Sequence, residues 1–352
     1  MGQAVQAGGA SIFPGVTTCL GNNATDPNCN GQTFNVFGIN PNLRAPYIYN
    51  YNLNVEKSLG GSVVLQVGYV GSDAHKLSVM ENINQNGAFT AQYPNFGSIL
   101  QMNSVGTSNY NALQTTLKIR LFHGVSGQFA YTWSHNLDEM TEYRAQIPYD
   151  SFNLAADYGN SDFDTRHNFT AFLSWEVPGN RHLRLLTSGW QVSTLISLHS
   201  GQPFNFPGPD PSGTQRPGLN VIANPYAGVN TNFNLAIGGE QWVNPAAFCV
   251  PGAAGCPGTT NPAGNLGRNA LVGPGFADID LSVFKNFTVK ERFRVQLRAE
   301  MYNTTNRINL ATGAGAVGSN GVVSDTIGDF NGAPGIGPGE PFNMQLVGKV
   351  IF

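Results

Sequence analysis

From Pro46 onward the chain alternates apolar and polar residues in segments of about ten, the period of a β-strand whose two faces meet different surroundings. In Arg294 to Tyr302, Val295, Leu297, Ala299 and Met301 are apolar, and Arg294, Gln296, Arg298 and Glu300 between them are polar. Leu113, Thr115, Leu117, Ile119 and Leu121 alternate in the same way with Gln114, Thr116, Lys118 and Arg120, and Phe129, Tyr131 and Trp133 with Gln128, Thr132 and Ser134. The pattern predicts nine strands, near 46–58, 62–72, 109–121, 125–135, 166–176, 189–200, 277–287, 291–303 and 341–352. Short turns at 59–62, 122–124 and 286–290, with a longer one at 177–188, alternate with long loops at 73–108, 136–165, 201–276 and 304–340. Strict alternation of short and long connections along antiparallel strands is the signature of an outer-membrane barrel, with turns in the periplasm and loops outside. The domain reading is therefore an extracellular loop-like segment 1–45 followed by a partial outer-membrane β-barrel domain 46–352.

Composition strengthens this picture. Only 11% of the 352 residues are charged, against about a quarter in a soluble domain, while 43 are Gly and 21 Pro. An aromatic content of 11% argues against disorder. No apolar run reaches the roughly 18 residues of a helical span, which leaves a barrel as the membrane solution. A net charge of −3, with Lys and Arg scattered along the chain, gives no footprint for nucleic acid. The N-terminal stretch MGQAVQAGGASIFPG has no basic region followed by an apolar one, so it is not a signal peptide. An outer-membrane protein needs an export signal, and the sequence reads as incomplete at its start.

Trp175 and Trp190 flank one short turn and Phe287 and Phe293 another, the placement expected of a headgroup belt, although aromatics also favour strands generally. If the faces are assigned correctly, Lys118, Arg120, Arg294, Arg298 and Glu300 point into the lumen, to a plug, a substrate or water. On the lipid face each would cost about 2–4 kcal/mol near the midplane. Cys19 with Cys29 and Cys249 with Cys256 form two close pairs in Gly- and Pro-rich stretches, which suits loop disulfides. Free thiols and zinc are the alternatives, zinc being disfavoured by the wide spacing and the lack of a nearby His. Asp138, Glu139, Glu142, Asp150, Asp157, Asp162 and Asp164 crowd one loop. They could hold calcium, but the spacing does not match an EF-hand, and turn formation or a pairing of Asp164 with Arg166 is the plainer account. No nucleophile elbow, metal-binding His spacing or phosphate loop occurs, so the sequence predicts neither an enzyme nor a cofactor.

The last strand alternates through Phe342, Met344, Leu346 and Val350 to the terminal aromatic Phe352. It resembles the insertion signal read by the barrel assembly machinery. Together with Pro46–Glu56, Val67–Ser72, Tyr110–Gln114, Tyr131–His135, Tyr158–His167 and Phe293–Asn306, the chain resembles the C-terminal barrel domain of Oar-like TonB-dependent receptors, which often carry a carboxypeptidase regulatory-like domain at the N-terminus. The resemblance implies an antiparallel barrel of about 22 strands, of which this chain supplies about nine. It also implies a separate plug domain, energy delivered through TonB, and residence in outer-membrane lipid. Nine strands are too few for such a barrel, and no plug is present, so the expected function is that of a wall segment, a fragment not competent for transport alone. The competing expectation is a surface adhesin or ligand-binding module that acts through its long loops.

Overall fold

In the computed structural model, the described residues are 34–85, 93, 96–142, 147–179, 184–210, 216–234, 236–289, 293–313, 315–330 and 339–351. Cys19, Cys29 and Phe352 lie outside them. In chain order the strands are β1 (Phe34–Ile39), β2 (Tyr47–Gly60), β3 (Val63–Asn82), β4 (Phe96–Phe122), β5 (Val125–Asp138), β6 (Gly159–Asn160), β7 (His167–Glu176), β8 (Trp190–His199), β9 (Pro203–Phe204), β10 (Asn220–Val221), β11 (Glu240–Gln241), β12 (Phe248–Cys249), β13 (Leu271–Val272), β14 (Phe276–Val289), β15 (Phe293–Tyr302), β16 (Val322–Val323) and β17 (Asn343–Ile351).

Nine of these form one antiparallel path in the order β17-β15-β14-β8-β7-β5-β4-β3-β2, so the long strands lie side by side in sequence order. They match the nine strands predicted from periodicity. Register keeps the two faces separate across the sheet. One cross-strand row runs Val63, Ile119, Gly127, Leu173, Thr194, Leu281, Met301, Met344, and a second runs Val125, Trp175, Val192, Val283, Ala299, Leu346. Between these apolar rows, on the opposite face, lies Ser126, Ser174, Ser193, Ser282, Glu300, Gln345. Thr194, the polar member of its apolar row, donates its hydroxyl to the Asp280 carbonyl at 2.8 Å.

The β4–β5 turn has positive φ at both His123 (52°) and Gly124 (82°). Two successive left-handed residues match the twist of the flanking strands, which is why a two-residue hairpin closes there. Among the described residues β2 pairs only with β3, and β17 only with β15, so the path has two open edges.

The structure departs from the sequence reading above the short strands. Segment 73–108 is not simply a loop: β3 continues to Asn82 and β4 begins at Phe96, still paired as far as Asn82 with Leu100. In β3 a left-handed Lys76 and register shifts on both sides of Leu77 break the alternation, and in β4 Gly97, Ser98, Asn103, Ser104 and Gly106 obscure it. Within the segment read as loop-like, β1 pairs in parallel with the outer end of β4. The loops 201–276 and 304–340 are also not irregular throughout. They share a core of Phe204, Leu219, Val243, Leu266, Leu310 and Val323 with further apolar neighbours, and the small ladders β9–β13, β10–β12 and β11–β16 frame it.

Candidate functional site

Two surfaces carry the protein's unusual chemistry: the polar face of the large sheet, and the layer that the long loops build above it.

On the polar face, Lys118 shares a row with Val64 and Gln128, Arg298 with Phe284 and Val347, and Glu300 with Ser282 and Gln345. Arg298 donates from Nε to Gln296 Oε1 at 2.6 Å and lies 3.6 Å from the Glu300 carboxylate. Arg294 stands opposite Ile351 and Thr288 on the same face. Arg120 lies where the β4–β5 register breaks, its N–H donating to the Ser62 carbonyl. The five charged residues singled out from periodicity therefore spread along the sheet and do not converge on one point.

The loop layer is joined by side chains far apart in sequence. Gln85 and Ser151 bind the β3 extension to the acidic loop, with Ser151 N–H donating to Gln85 Oε1 at 2.9 Å and Asn82 N–H to Ser151 Oγ at 2.9 Å. The acidic loop in turn holds loop 201–276 through two arginines. Arg268 donates from Nε to the Asp157 carbonyl at 2.8 Å and from Nη2 to the Asp138 carbonyl at 2.6 Å. It also pairs with the Asp138 carboxylate and lies 3.7 Å from that of Asp162. Arg216 pairs with the Asp157 carboxylate and lies over the Tyr149 ring, 5.5 Å from its centroid. Burial and the neighbouring Arg268 charge lower the Arg216 guanidinium to about 10. Burial, reinforced by Asp210, raises the Tyr149 phenol to about 12. Beside them Asn160 and Asn269 exchange amide to carbonyl bonds of 2.9 and 2.8 Å.

Of the carboxylates weighed as calcium ligands, Asp138, Asp157, Asp162 and Asp164 face guanidinium groups, while Glu139 accepts from the Thr107 N–H and hydroxyl. Among the described residues no cluster of His, Cys, Asp and Glu could hold a metal ion. Asp164 does meet Arg166, at 3.2 Å, while its other oxygen accepts the Asn136 N–H at 2.8 Å. Cys249 and Cys256 are joined by a disulfide, with Cα atoms 5.7 Å apart.

Sequence reasoning missed Arg216 and Arg268. A signal existed: they are the two cationic residues in the whole of 201–276, and the acidic loop is the obvious counter-charge. It also missed a cleft of about 370 Å³ between the roots of loops 201–276 and 304–340. Its lining includes Phe233, Glu240, Trp242, Asn306, Arg307 and Ile308.

At the other end of the sheet Lys285 occupies the apolar face, in a row with Trp190. Its ammonium is neither solvated nor facing hydrocarbon. It donates to the carbonyls of Leu186 (3.0 Å) and Ser188 (2.6 Å), at the end of the short helix Arg184–Thr187, and lies over the rings of Trp190 and Phe287. A charge held by carbonyls and aromatic faces, next to a short turn, is the arrangement an interfacial lysine requires.

Residues 3–336 match the family model described as an outer membrane beta barrel domain. The chain belongs to that family. The two-faced sheet is its membrane wall, and the protein is one of the outer membrane. No curated protein sequence matches the chain. Among solved structures, this barrel domain is similar in fold to the outer membrane transporter YddB from Escherichia coli, at 9% identity over 88% of this chain and 33% of that one, with a TM-score of 0.45. It is similarly related to the ferric-catecholate import receptor Fiu from Escherichia coli (12% identity, 88% and 28%, TM-score 0.42) and to the iron transporter FrpB from Neisseria meningitidis (11%, 90% and 32%, TM-score 0.43). The barrel domain spans about a third of the length of these structures.

Proposed function

We propose that this chain is the C-terminal barrel wall of a TonB-dependent outer-membrane transporter of the Oar-like kind, and that it does not transport alone. The observation that carries the reading is the nine-stranded, two-faced sheet whose outer edges, on β2 and β17, are unpaired among the described residues. In hydrocarbon every unpaired backbone group costs several kcal/mol, so both edges require partner strands. Further strands of a longer chain are the simplest partners. The polar face then lines the lumen, where Lys118, Arg120, Arg294, Arg298 and Glu300 meet a plug domain and water. The long loops face outward, the TonB system acts on the plug, and the barrel assembly machinery reads the end of β17 and Phe352.

The test compares two products. One is the longest reading frame that contains this chain, and the other is residues 1–352 behind a signal peptide. Each is fractionated and run on a gel with and without heating. The proposal expects only the longer product to enter the outer membrane in a heat-modifiable form. Insertion of the 352-residue product on its own would overturn it in favour of a small or oligomeric barrel. The folded loop layer favours one second reading, a surface ligand-binding module, which predicts binding that survives removal of the TonB system.

A further inference from the structure

The cleft between the loop roots has a feature that the transporter reading does not use. Glu240 and Arg307 both line it, yet no ion pair within 4.0 Å joins them, and neither side chain makes a hydrogen bond among the described residues. They are close enough to sense each other: burial pushes the Glu240 carboxyl above its ordinary range, and the Arg307 charge pulls it part of the way back. Opposite charges left a gap apart in a concave site make an incomplete arrangement, because either would gain from a counter-charge placed between them.

The rest of the exposed lining is mixed: Thr231, Asn232 and Asn306 are polar, and Phe233 and Ile308 supply the apolar surface. Phe233 is 44% exposed and Ile308 51%. Trp242 has its indole N–H already donated to the Val272 carbonyl at 2.9 Å, which leaves the ring surface as its free contact. A volume of about 370 Å³ is at the small end of the range for ligand sites.

We propose that this cleft binds a small zwitterion with an apolar side chain, an amino acid or a di- or tripeptide. Its ammonium faces Glu240, its carboxylate faces Arg307, and its apolar side chain rests on Trp242, Phe233 and Ile308. A carboxylate beside aromatic rings suits an ammonium, and a guanidinium offers a carboxylate a planar pair of donors. The cleft is made wholly from the two loops, so the inference stands apart from the question of transport.

The experiment is isothermal titration calorimetry of the longest reading frame that contains this chain, purified in detergent, with near-UV circular dichroism confirming that the loop layer is folded in every variant. The probes are Leu-Leu, its N-acetyl derivative, its C-terminal amide, and maltose as a neutral ligand. Saturable binding of Leu-Leu is expected, weakened at least tenfold by acetylation and at least tenfold by amidation. Glu240→Gln should abolish the penalty for acetylation while keeping that for amidation, and Arg307→Gln should do the reverse. No saturable heat with Leu-Leu, binding indifferent to both substitutions, or maltose binding as tightly as the dipeptide would each overturn the proposal.

Discussion

Arg268 donates its Nε hydrogen to the backbone carbonyl of Asp157 at 2.8 Å, tying loop 201–276 to loop 136–165 through a side chain that is 6% exposed. The same guanidinium holds Asp138, so one residue satisfies groups from two ends of the acidic loop. Removing one partner of a buried pair leaves the other charge stranded, at a cost of about 3–5 kcal/mol. Arg268→Met is therefore expected to open the loop layer while leaving the sheet paired. Hydrogen exchange should show lost protection at 136–165 and 201–276 and none in β14 or β15. Unchanged protection in the two loops would show that the arginine is incidental.

Adjacent residues test which face meets lipid. Ser193 and Thr194 sit at the middle of β8, the first in the serine row and the second in the row of Leu173 and Leu281. A lysine on the lipid face near the midplane costs about 2–4 kcal/mol, whereas one facing an aqueous lumen costs little. Thr194→Lys should lower unfolding stability in vesicles by that amount and Ser193→Lys by much less. Equal effects would invalidate the facing of the sheet.

The strands were legible because a wall between lipid and water imposes a period of two on every strand that crosses it. That constraint stops at the membrane boundary, and legibility stops with it. Beyond it, Asn-rich segments fold by side-chain amides that satisfy buried backbone groups, a pattern with no period. Asn303, 1% exposed, donates to the carbonyls of Arg307 and Glu340 at 2.8 Å each and accepts from the Arg307 N–H at 3.1 Å. Asn84 similarly donates to the Phe96 and Gly97 carbonyls at 3.1 and 2.8 Å, holding the base of the β3–β4 extension. Composition alone reads such residues as turn formers. The charged contacts of Arg216 and Arg268 are long-range and obey no local rule, and the cleft joins residues as distant as Phe233 and Ile308.

The pH dependence of the loop layer has a defined sign at Glu240. Its folded value lies above the ordinary 4.5 because burial outweighs the attraction of Arg307. The folded layer then binds more protons than the unfolded chain between those two values. Stability from this group is fully present below the unfolded value and is lost as pH rises through the folded one. Acidification from neutral pH towards 4.5 should raise the thermal midpoint of the loop layer in the parent relative to Glu240→Gln. Parallel pH profiles for the two proteins would contradict this.

The Cys249–Cys256 bond closes a short loop next to β10, where Asn220 donates to the Thr259 carbonyl at 2.8 Å. Chain-entropy reasoning assigns a loop of this size about 2.5 kcal/mol. The double change Cys249→Ser and Cys256→Ser should lower loop-layer stability by about that much, with proteolytic nicking concentrated between residues 249 and 264. An unaltered cleavage rate would mean that the surrounding hydrogen bonds suffice.

The loop-layer core also sets an order of assembly. Each long strand of the sheet pairs with its neighbours in sequence, so the wall can zip up hairpin by hairpin, with short chain closures. Phe204 and Val323 meet in one core only after β14 and β15, which lie between them in the chain, have been brought into place. Closing so large a span costs entropy before any contact repays it. The layer is therefore the last part to form. While β8, β14, β15 and β17 are being added to the wall, their connections travel as slack chain rich in Gly, Pro and Asn, and no preformed globule has to be forced across the bilayer.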